Sequence, residues 1–520
     1  MKRNIFRPAV LAAGLVMTCF LVSCGYMGKP EEPHEIPEAA NLRMIVMGNE
    51  PESGMEELYA ALDELTVAEL GCTVRFEFIP WGNERKQLNI AVASGEYDII
   101  PGGVFSDWRI QISKNAFLDL TPYLHLVPDL VEHYGYYSED YLEKCKINGG
   151  LYGISQYGPG GLQYDNEGFF YREDLRRKWG CDEITDLDTM EEYLYAAKAD
   201  PQYADEALIT DNRIWQSLWI LTAGDKYLEI GSMTETPFVV VRADEPKTVV
   251  SRLETEEFRK VLEYIKKWQD DGILEAGMLA LSDNEGSRGM ELMLEDRKPC
   301  ETNNPIWSIS SSYIRSLVSK HPEWEYGFFT YISANRMHFV NEPGLGSAMY
   351  ISAKTKYPEQ AIRLLEKIHT DQRYYDLFAY GAEGIHYVNV NGKVSYEGIP
   401  ASNKFSVSVA GDELLRRTEI SANEQWADVN EQNALWREGI LQEAVVHPLD
   451  MFTLDIGQFG KELEQINLVK GQYFQPIVCG YYEGDEDLDL VIDKLEEAGL
   501  KEYMAIIEAQ LQGSLGEQEK

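Results

Sequence analysis

The chain has 520 residues, with 47 Lys and Arg against 87 Asp and Glu, for a formal charge of -40 at pH 7. A surface of that sign repels phosphate backbones and anionic headgroups, which argues against a nucleic-acid partner and against electrostatic attachment to a membrane; it reads as the solvated acidic shell of an exported protein. The length supports large cores and exceeds one typical domain, so two lobes are expected.

Residues 1–23 carry Lys2, Arg3 and Arg7, then a mostly apolar run from Ala9 to Val22, then Leu21-Val22-Ser23 before Cys24. A basic start, an apolar stretch too short to span comfortably and a small residue before cysteine predict a secretory signal with a lipobox; a short membrane anchor is the alternative. Cleavage before Cys24 would let that residue take acyl chains, and stable tethering needs two or more. Residues 25–40 combine prolines with acids and predict a flexible acidic linker. Of the remaining cysteines, Cys72, Cys145, Cys181, Cys300 and Cys479 form an odd set without CxxC spacing, neither a zinc site nor a disulfide framework, although one bridge among them stays open.

From Leu42 the order of elements is α/β. A strand over Leu42 to Met47 precedes an amphipathic helix marked by Met55, Leu58, Tyr59, Leu62 and Leu65. A second strand follows from Val74 to Ile79, then Pro80-Trp81, a helix to Ala93 and a strand at Tyr97-Asp98-Ile99-Ile100. Loops after such parallel strands face a ligand cleft. Phe169 to Leu175 leads into a helix ending near Trp179-Gly180; Thr189 to Ala199 is helical, and residues 253–271 place Phe258, Val261, Leu262, Ile265 and Trp268 on one helix face. Tyr326 to Ile332 reads as a returning strand. A glycine-rich strand at 344–351 follows, then a helix from Pro358 to Thr370 with Ala361, Ile362, Leu364, Leu365 and Ile368 as its apolar stripe, then Tyr380-Gly381-Ala382-Glu383-Gly384-Ile385-His386-Tyr387. Helical patterns dominate after about residue 410, ending in Leu488 to Leu500 and Lys501 to Leu511.

The run Ser352-Ala353-Lys354-Thr355-Lys356-Tyr357-Pro358-Glu359-Gln360-Ala361, with Tyr380 to Tyr387 after its helix, resembles the return segment of extracellular solute-binding proteins of family 1, in the lipoprotein subgroup serving ABC-type sugar importers. Ala382 and Ile385 stand where that pattern has Ile and Lys, keeping the glycine turns but changing the local charge. Ala93-Ser94-Gly95-Glu96-Tyr97-Asp98-Ile99-Ile100 resembles the family's helix-to-strand junction, and loosely matching motifs cover nearly the whole mature chain. The resemblance implies a two-lobed, periplasmic-binding-protein-like α/β fold of type II, with a first lobe over 41–150 plus 334–400 and a second over 151–333 plus 401–520. Crossover strands near 150–160, 330–345 and 388–410 would form the hinge. It also implies a non-enzymatic, lipid-anchored protein on the outer face of a bacterial cytoplasmic membrane. That protein captures a carbohydrate, an oligosaccharide by expectation, and delivers it to a permease, acting as a monomer without a cofactor.

Flat indoles beside hydrogen-bonding groups suit sugar rings, whose C–H faces stack on aromatics while hydroxyls need donors and acceptors. On that chemistry the candidate ligand-binding residues are Asn49, Trp81, Asp107, Trp108, Tyr157, Trp215, Trp219, Asn303, Asn304, Trp307, Glu383 and His386. Each indole has a competing reading as plain core. A glycoside hydrolase needs paired carboxylates, which occur everywhere among 87 acids, and no GxSxG, GxxxxGK[ST] or HExxH motif supports another reaction. Asp485, Asp487, Asp489, Asp493 and Glu496 fit EF-hand spacing, but Leu490 stands where the turn wants glycine, and acids at a helix start explain them as well; no metal is assigned. Arg109 and Arg213 keep a peptide-binding protein of the same architecture as the alternative.

Overall fold

The computed structural model describes residues 40–82, 84–103, 105–137, 141–156, 163–164, 168–230, 236–280, 286–302, 317, 319–331, 334, 338–341, 344–405, 407–408, 415–420, 435, 444–449, 452 and 454–518. Cys24 with the signal and linker segments, and the candidates Tyr157, Asn303, Asn304 and Trp307, lie outside the described residues. The strands in chain order are β1 (Ala40–Gly48), β2 (Cys72–Ile79), β3 (Ile99–Gly103), β4 (Gly153–Ser155), β5 (Gln163–Tyr164), β6 (Gly168–Arg172), β7 (Tyr227–Glu229), β8 (Val239–Arg242) and β9 (Glu245–Ser251). They continue as β10 (Cys300–Glu301), β11 (Tyr326–Thr330), β12 (His338–Asn341), β13 (Ser347–Ile351), β14 (Val388–Val390), β15 (Lys393–Ser395), β16 (Val407–Ser408) and β17 (Ala444–Val446).

The run Leu42, Met44, Ile45, Val46 and Met47 is buried on both faces of β1, as the near-continuous apolar sequence requires of a strand covered by helices on either side. β2 runs parallel along all of it, from Ala40 opposite Cys72 to Met47 opposite Ile79. β3 is parallel to β1; β13 lies antiparallel to β3 and to β4, and β16 closes onto the end of β1. The helix α1 (Met55–Leu70) buries Leu58, Leu62 and Thr66 at helical spacing. The helix Pro358–Thr370 buries its predicted stripe and is followed by an unforeseen helix, Gln372–Ala379. These elements enclose one core, from Leu42 to Ile154 and from Leu345 to Phe405.

A second core runs from Phe169 to Tyr331 and from Leu449 to Leu511. Its sheets are β10-β6-β11 and β7-β8-β9. The helix Glu256–Asp270 buries Phe258, Val261, Leu262, Ile265 and Trp268, and Thr255 caps it by accepting from the Phe258 N–H. The acids read against an EF-hand fall on the helix Asp485–Glu497, with Asp485, Glu486 and Asp487 in its first turn, so they form no calcium loop and instead suit the helix dipole. Among the described residues Cys72, Cys145, Cys181, Cys300 and Cys479 are all buried and outside any disulfide.

Three stretches of chain link the cores, and each gives a strand to one separate sheet, β17-β12-β5. Val340 of β12 pairs with Tyr164 of β5 and with Val446 of β17. The third linkage lies later than the expected 388–410, since Phe405, the strand Val407–Ser408 and Arg417 all stay with the first lobe. Phe405 packs on Phe76 and Phe78 in the first core, and Arg417 grips Asp376 at 2.7 Å. No helix among the described residues is long and apolar enough to cross a membrane.

Candidate ligand-binding cleft

The carboxyl ends of β1, β2, β3 and β4 lie at the same edge of the first sheet, because the first three are parallel and β4 reaches β3 through two antiparallel pairings across β13. The linkage after β4 leaves from that edge and the linkage before β13 returns to it, so the edge faces the second lobe. Ligands of open α/β sheets sit at such strand ends. The loops there carry Asn49, Trp81, Phe105, Asp107 and Gln156. Gly103 lets the edge close tightly, since a Cβ there would run into the Gly346 carbonyl.

Trp81 is 54 % exposed and meets Phe105 edge-on, with ring centres 5.4 Å apart. More than half of the residue is therefore open to solvent. Asn49 is exposed at the end of β1. Asp107, half-buried, accepts from Arg85 Nη1 and from Asn89 Nδ2, both at 2.6 Å, and Gln111 in turn donates to Asn89 at 2.9 Å. Arg85 and Asn89 lie on α2 (Glu84–Ser94) and Gln111 on α3 (Trp108–Ser113), so this chain of bonds fixes the Asp107 loop to both helices. On the other side of β13, Gln156 accepts from the Ser347 hydroxyl at 2.9 Å.

Four candidates are placed elsewhere. Trp108 is only 1 % exposed and stacks on Tyr350, which in turn stacks on Phe117 at 4.5 Å; its indole braces α3 from beneath and offers no face to a cleft. Trp215 and Trp219 are buried in the second core, on the helix Ile214–Ala223. The Trp219 indole N–H donates to Glu229, which also holds the wholly buried Arg252 guanidinium at 2.5 Å, and that guanidinium lies 4.7 Å from the Trp219 ring. His386 is fully buried: its Nδ1 accepts from the Ala382 N–H at 2.9 Å, so Nε2 carries the proton and donates to the Ser53 carbonyl at 3.0 Å. Burial holds its pKa below the usual imidazole value, against the pull of Ser53 and Glu57. A Cβ at Gly54 (φ 93°) would lie 2.6 Å from that ring, so His386 positions the loop that follows β1 rather than touching ligand. Glu383, on the same turn, is exposed.

Sequence reasoning missed Phe105, Arg85 and Asn89. An aromatic three residues ahead of Trp108 was visible; the bonds from α2 to Asp107 depend on a helix packing angle that spacing does not encode.

In the second lobe, antiparallel pairing puts the end of β10 beside the start of β6, the point at which the chain arrives from the first lobe. There Lys298 is buried and bridges Glu301 at 2.9 Å and the Thr210 hydroxyl at 3.1 Å, so the loop Thr210–Arg213 sits against the strand end. Asp211 in that loop holds Arg213 at 2.8 Å. The cores touch where Asn148 donates to Asp455 at 2.9 Å, beside a groove of about 350 Å³ that includes Arg109, Tyr152 and Gln458.

No family model matches the chain. It is 22 % identical over 511 residues to a carbohydrate ABC transporter substrate-binding protein of Streptococcus pneumoniae serotype 4, covering 96 % of both chains. Among solved structures it resembles an N-glycan transport solute binding protein of Streptococcus pneumoniae in complex with Man1GlcNAc (TM-score 0.66, 17 % identity, 91 % of this chain and 99 % of that one). A second is an HMO-binding, ABC-transporter-associated solute binding protein of Bifidobacterium longum infantis (TM-score 0.66, 15 % identity, 91 % and 98 %). With two cores, a linking sheet between them and a loop-bearing strand edge turned toward the second lobe, the chain has the two-lobed fold of the solute-binding proteins.

Proposed function

We propose that the chain is the substrate-binding component of an ABC-type importer, capturing a carbohydrate, in our reading an oligosaccharide, between its lobes and presenting it to a membrane permease. The observation that carries this reading is the coextensive match to a carbohydrate substrate-binding protein, 96 % of each chain, on a fold whose linkages share one sheet. Linkages bonded to one another favour motion of the lobes as bodies about that sheet, which is the hinge closure a capture protein needs. Trp81 with Phe105 supplies a flat apolar face, and Asn49 and Asp107 supply neighbouring polar groups of the kind a ring of hydroxyls demands.

A ligand that binds only the folded state raises the melting temperature, so a thermal-shift screen of oligosaccharides, amino acids and peptides tests the reading. Stabilisation by an oligosaccharide is expected; stabilisation by peptides alone would replace it with the peptide-binding alternative. The tether is tested separately. Wild-type protein from bacterial membranes should carry lipid mass on its N-terminal peptide and Cys24→Ser should not, and wild-type protein without lipid would remove the anchor while leaving capture intact.

A further inference from the structure

We infer that Lys298, Glu301 and Thr210 are positioning residues for ligand capture, holding the loop Thr210–Arg213 as the second lobe's wall of the cleft; this rests on the carbohydrate reading above. Topology places that wall. β10 and β11 both pair antiparallel with β6, so their carboxyl ends, at Glu301 and Thr330, lie toward the start of β6. The chain enters β6 from β5 and leaves β11 for β12 at that edge, which therefore faces the first lobe. Ligands of α/β sheets sit at such strand ends. The loop is no strand of this sheet, and side chains bring it there.

Thr210, Asp211 and Asn212 are consecutive buried polar residues, a costly arrangement unless their groups are bonded. Asp211 accepts from the Arg213 backbone N–H at 2.8 Å, from its Nε at 3.1 Å and from its Nη2 at 2.8 Å, which locks the loop on itself. Its first residue is then the anchor. Lys298 Nζ donates to the Thr210 hydroxyl at 3.1 Å and to Glu301 Oε2 at 2.9 Å, while Glu301 Oε1 accepts from the Thr302 N–H at 2.9 Å. One carboxylate thus fixes both the loop and the chain leaving β10. The helix Gly286–Leu294 packs directly on it, since a Cβ at Gly289 would run into the Glu301 carboxylate. Desolvation offsets most of the attraction within a buried Lys–Glu pair, so replacing both partners by uncharged groups of similar volume is often neutral for stability. What the pair supplies here is geometry: a wall ordered before the sugar arrives does not have to be ordered during binding.

The test is calorimetric titration with whichever of a panel of gluco-, manno-, chito- and fructo-oligosaccharides most raises the melting temperature of the wild-type protein. Thr210→Val removes the hydroxyl that Lys298 reaches and keeps the side chain's shape, and Thr210→Ser restores the hydroxyl. Lys298→Met combined with Glu301→Gln removes both charges at once and leaves an amide oxygen for the Thr302 N–H. At a temperature where the variants are fully folded, Thr210→Val and the double variant should bind at least about fivefold more weakly, the contribution of one average hydrogen bond. Thr210→Ser should bind like wild type. Amide hydrogen exchange at residues 210–213 of the ligand-free protein should be faster in both weak binders. Wild-type affinity in Thr210→Val, or a Thr210→Ser that binds as weakly as Thr210→Val, overturns the inference and leaves the carbohydrate reading standing; Thr210→Val alone decides if the double variant does not fold. A panel with no member that binds the wild-type protein overturns both.

Discussion

Trp81 and Trp108 lie on the same strand edge in sequence terms, yet Trp108 is buried and Trp81 is exposed, and a pair of alanine substitutions separates a core indole from a proposed ligand contact. Trp108 is almost wholly buried against Tyr350 in the first core. Truncating a buried Trp to Ala costs about 3 to 5 kcal/mol from lost transfer energy and the cavity left behind. For a cooperative unit the size of the first lobe, each kcal/mol lowers the melting temperature by about 2 to 4 °C, so Trp108→Ala should melt roughly 6 to 20 °C below wild type. Trp81, 54 % exposed and in an edge-on pair with Phe105, should give up about 1 kcal/mol of stability or less. If it stacks on a ring, its loss removes on the order of 1 to 3 kcal/mol of binding, which is about fivefold to 150-fold in affinity. Differential scanning calorimetry and titration with the glycan identified by screening measure both. A Trp108→Ala protein that melts like wild type but binds weakly, or a Trp81→Ala protein that binds normally, would refute the assignment.

Burial lowers the pKa of His386 and takes that of His447 down to about 4, and both rings accept a backbone N–H through Nδ1, from Ala382 and Leu449. Each folded-state value is below the unfolded value near 6.5, so the unfolded chain binds more protons; their stabilisation is complete above about pH 6.5 and is lost as pH falls. For His447 the loss approaches roughly 3 kcal/mol by pH 4, and the wild-type minus His447→Gln difference in denaturant stability should shrink on acidification; a difference flat in pH contradicts this. Glu229→Ala strands the buried Arg252 charge and should destabilise by about 3 to 5 kcal/mol, read from the denaturant midpoint, whereas an unchanged midpoint would mean Arg252 is solvated. Burial pushes the thiols of Cys72 up to about 11 and of Cys300 up to about 12, so a disulfide reagent should label them only after unfolding; rapid labelling of native protein would show those sites to be open.

The elements were legible wherever periodicity was strong. The helices Pro358–Thr370 and Glu256–Asp270 fall on their predicted stripes, and β1 reads directly from its unbroken apolar run. The site was less so. An indole in a loop sequence such as Asp107-Trp108-Arg109 looks exposed until Tyr350, 242 positions away, is seen lying against it. The same holds for Trp215 and Trp219, whose helix reads as one face of a cleft or as core until Phe258 and Phe474 are placed. His386 showed its crowded, glycine-bounded setting in sequence, but its partner Ser53 lies at the far end of the first lobe's sequence. The late linkage was hidden because Phe405 and Arg417 act through contacts with Phe76 and Asp376 that no local pattern announces.

Proposed capture of a glycan requires the lobes to move about the sheet β17-β12-β5. Small-angle scattering on the monodisperse protein, free and saturated with the oligosaccharide selected by the thermal screen, measures that motion. A smaller radius of gyration in the saturated protein, absent on addition of a non-binding sugar of equal size, is the expected result. An unchanged profile at proven saturation would contradict hinge closure.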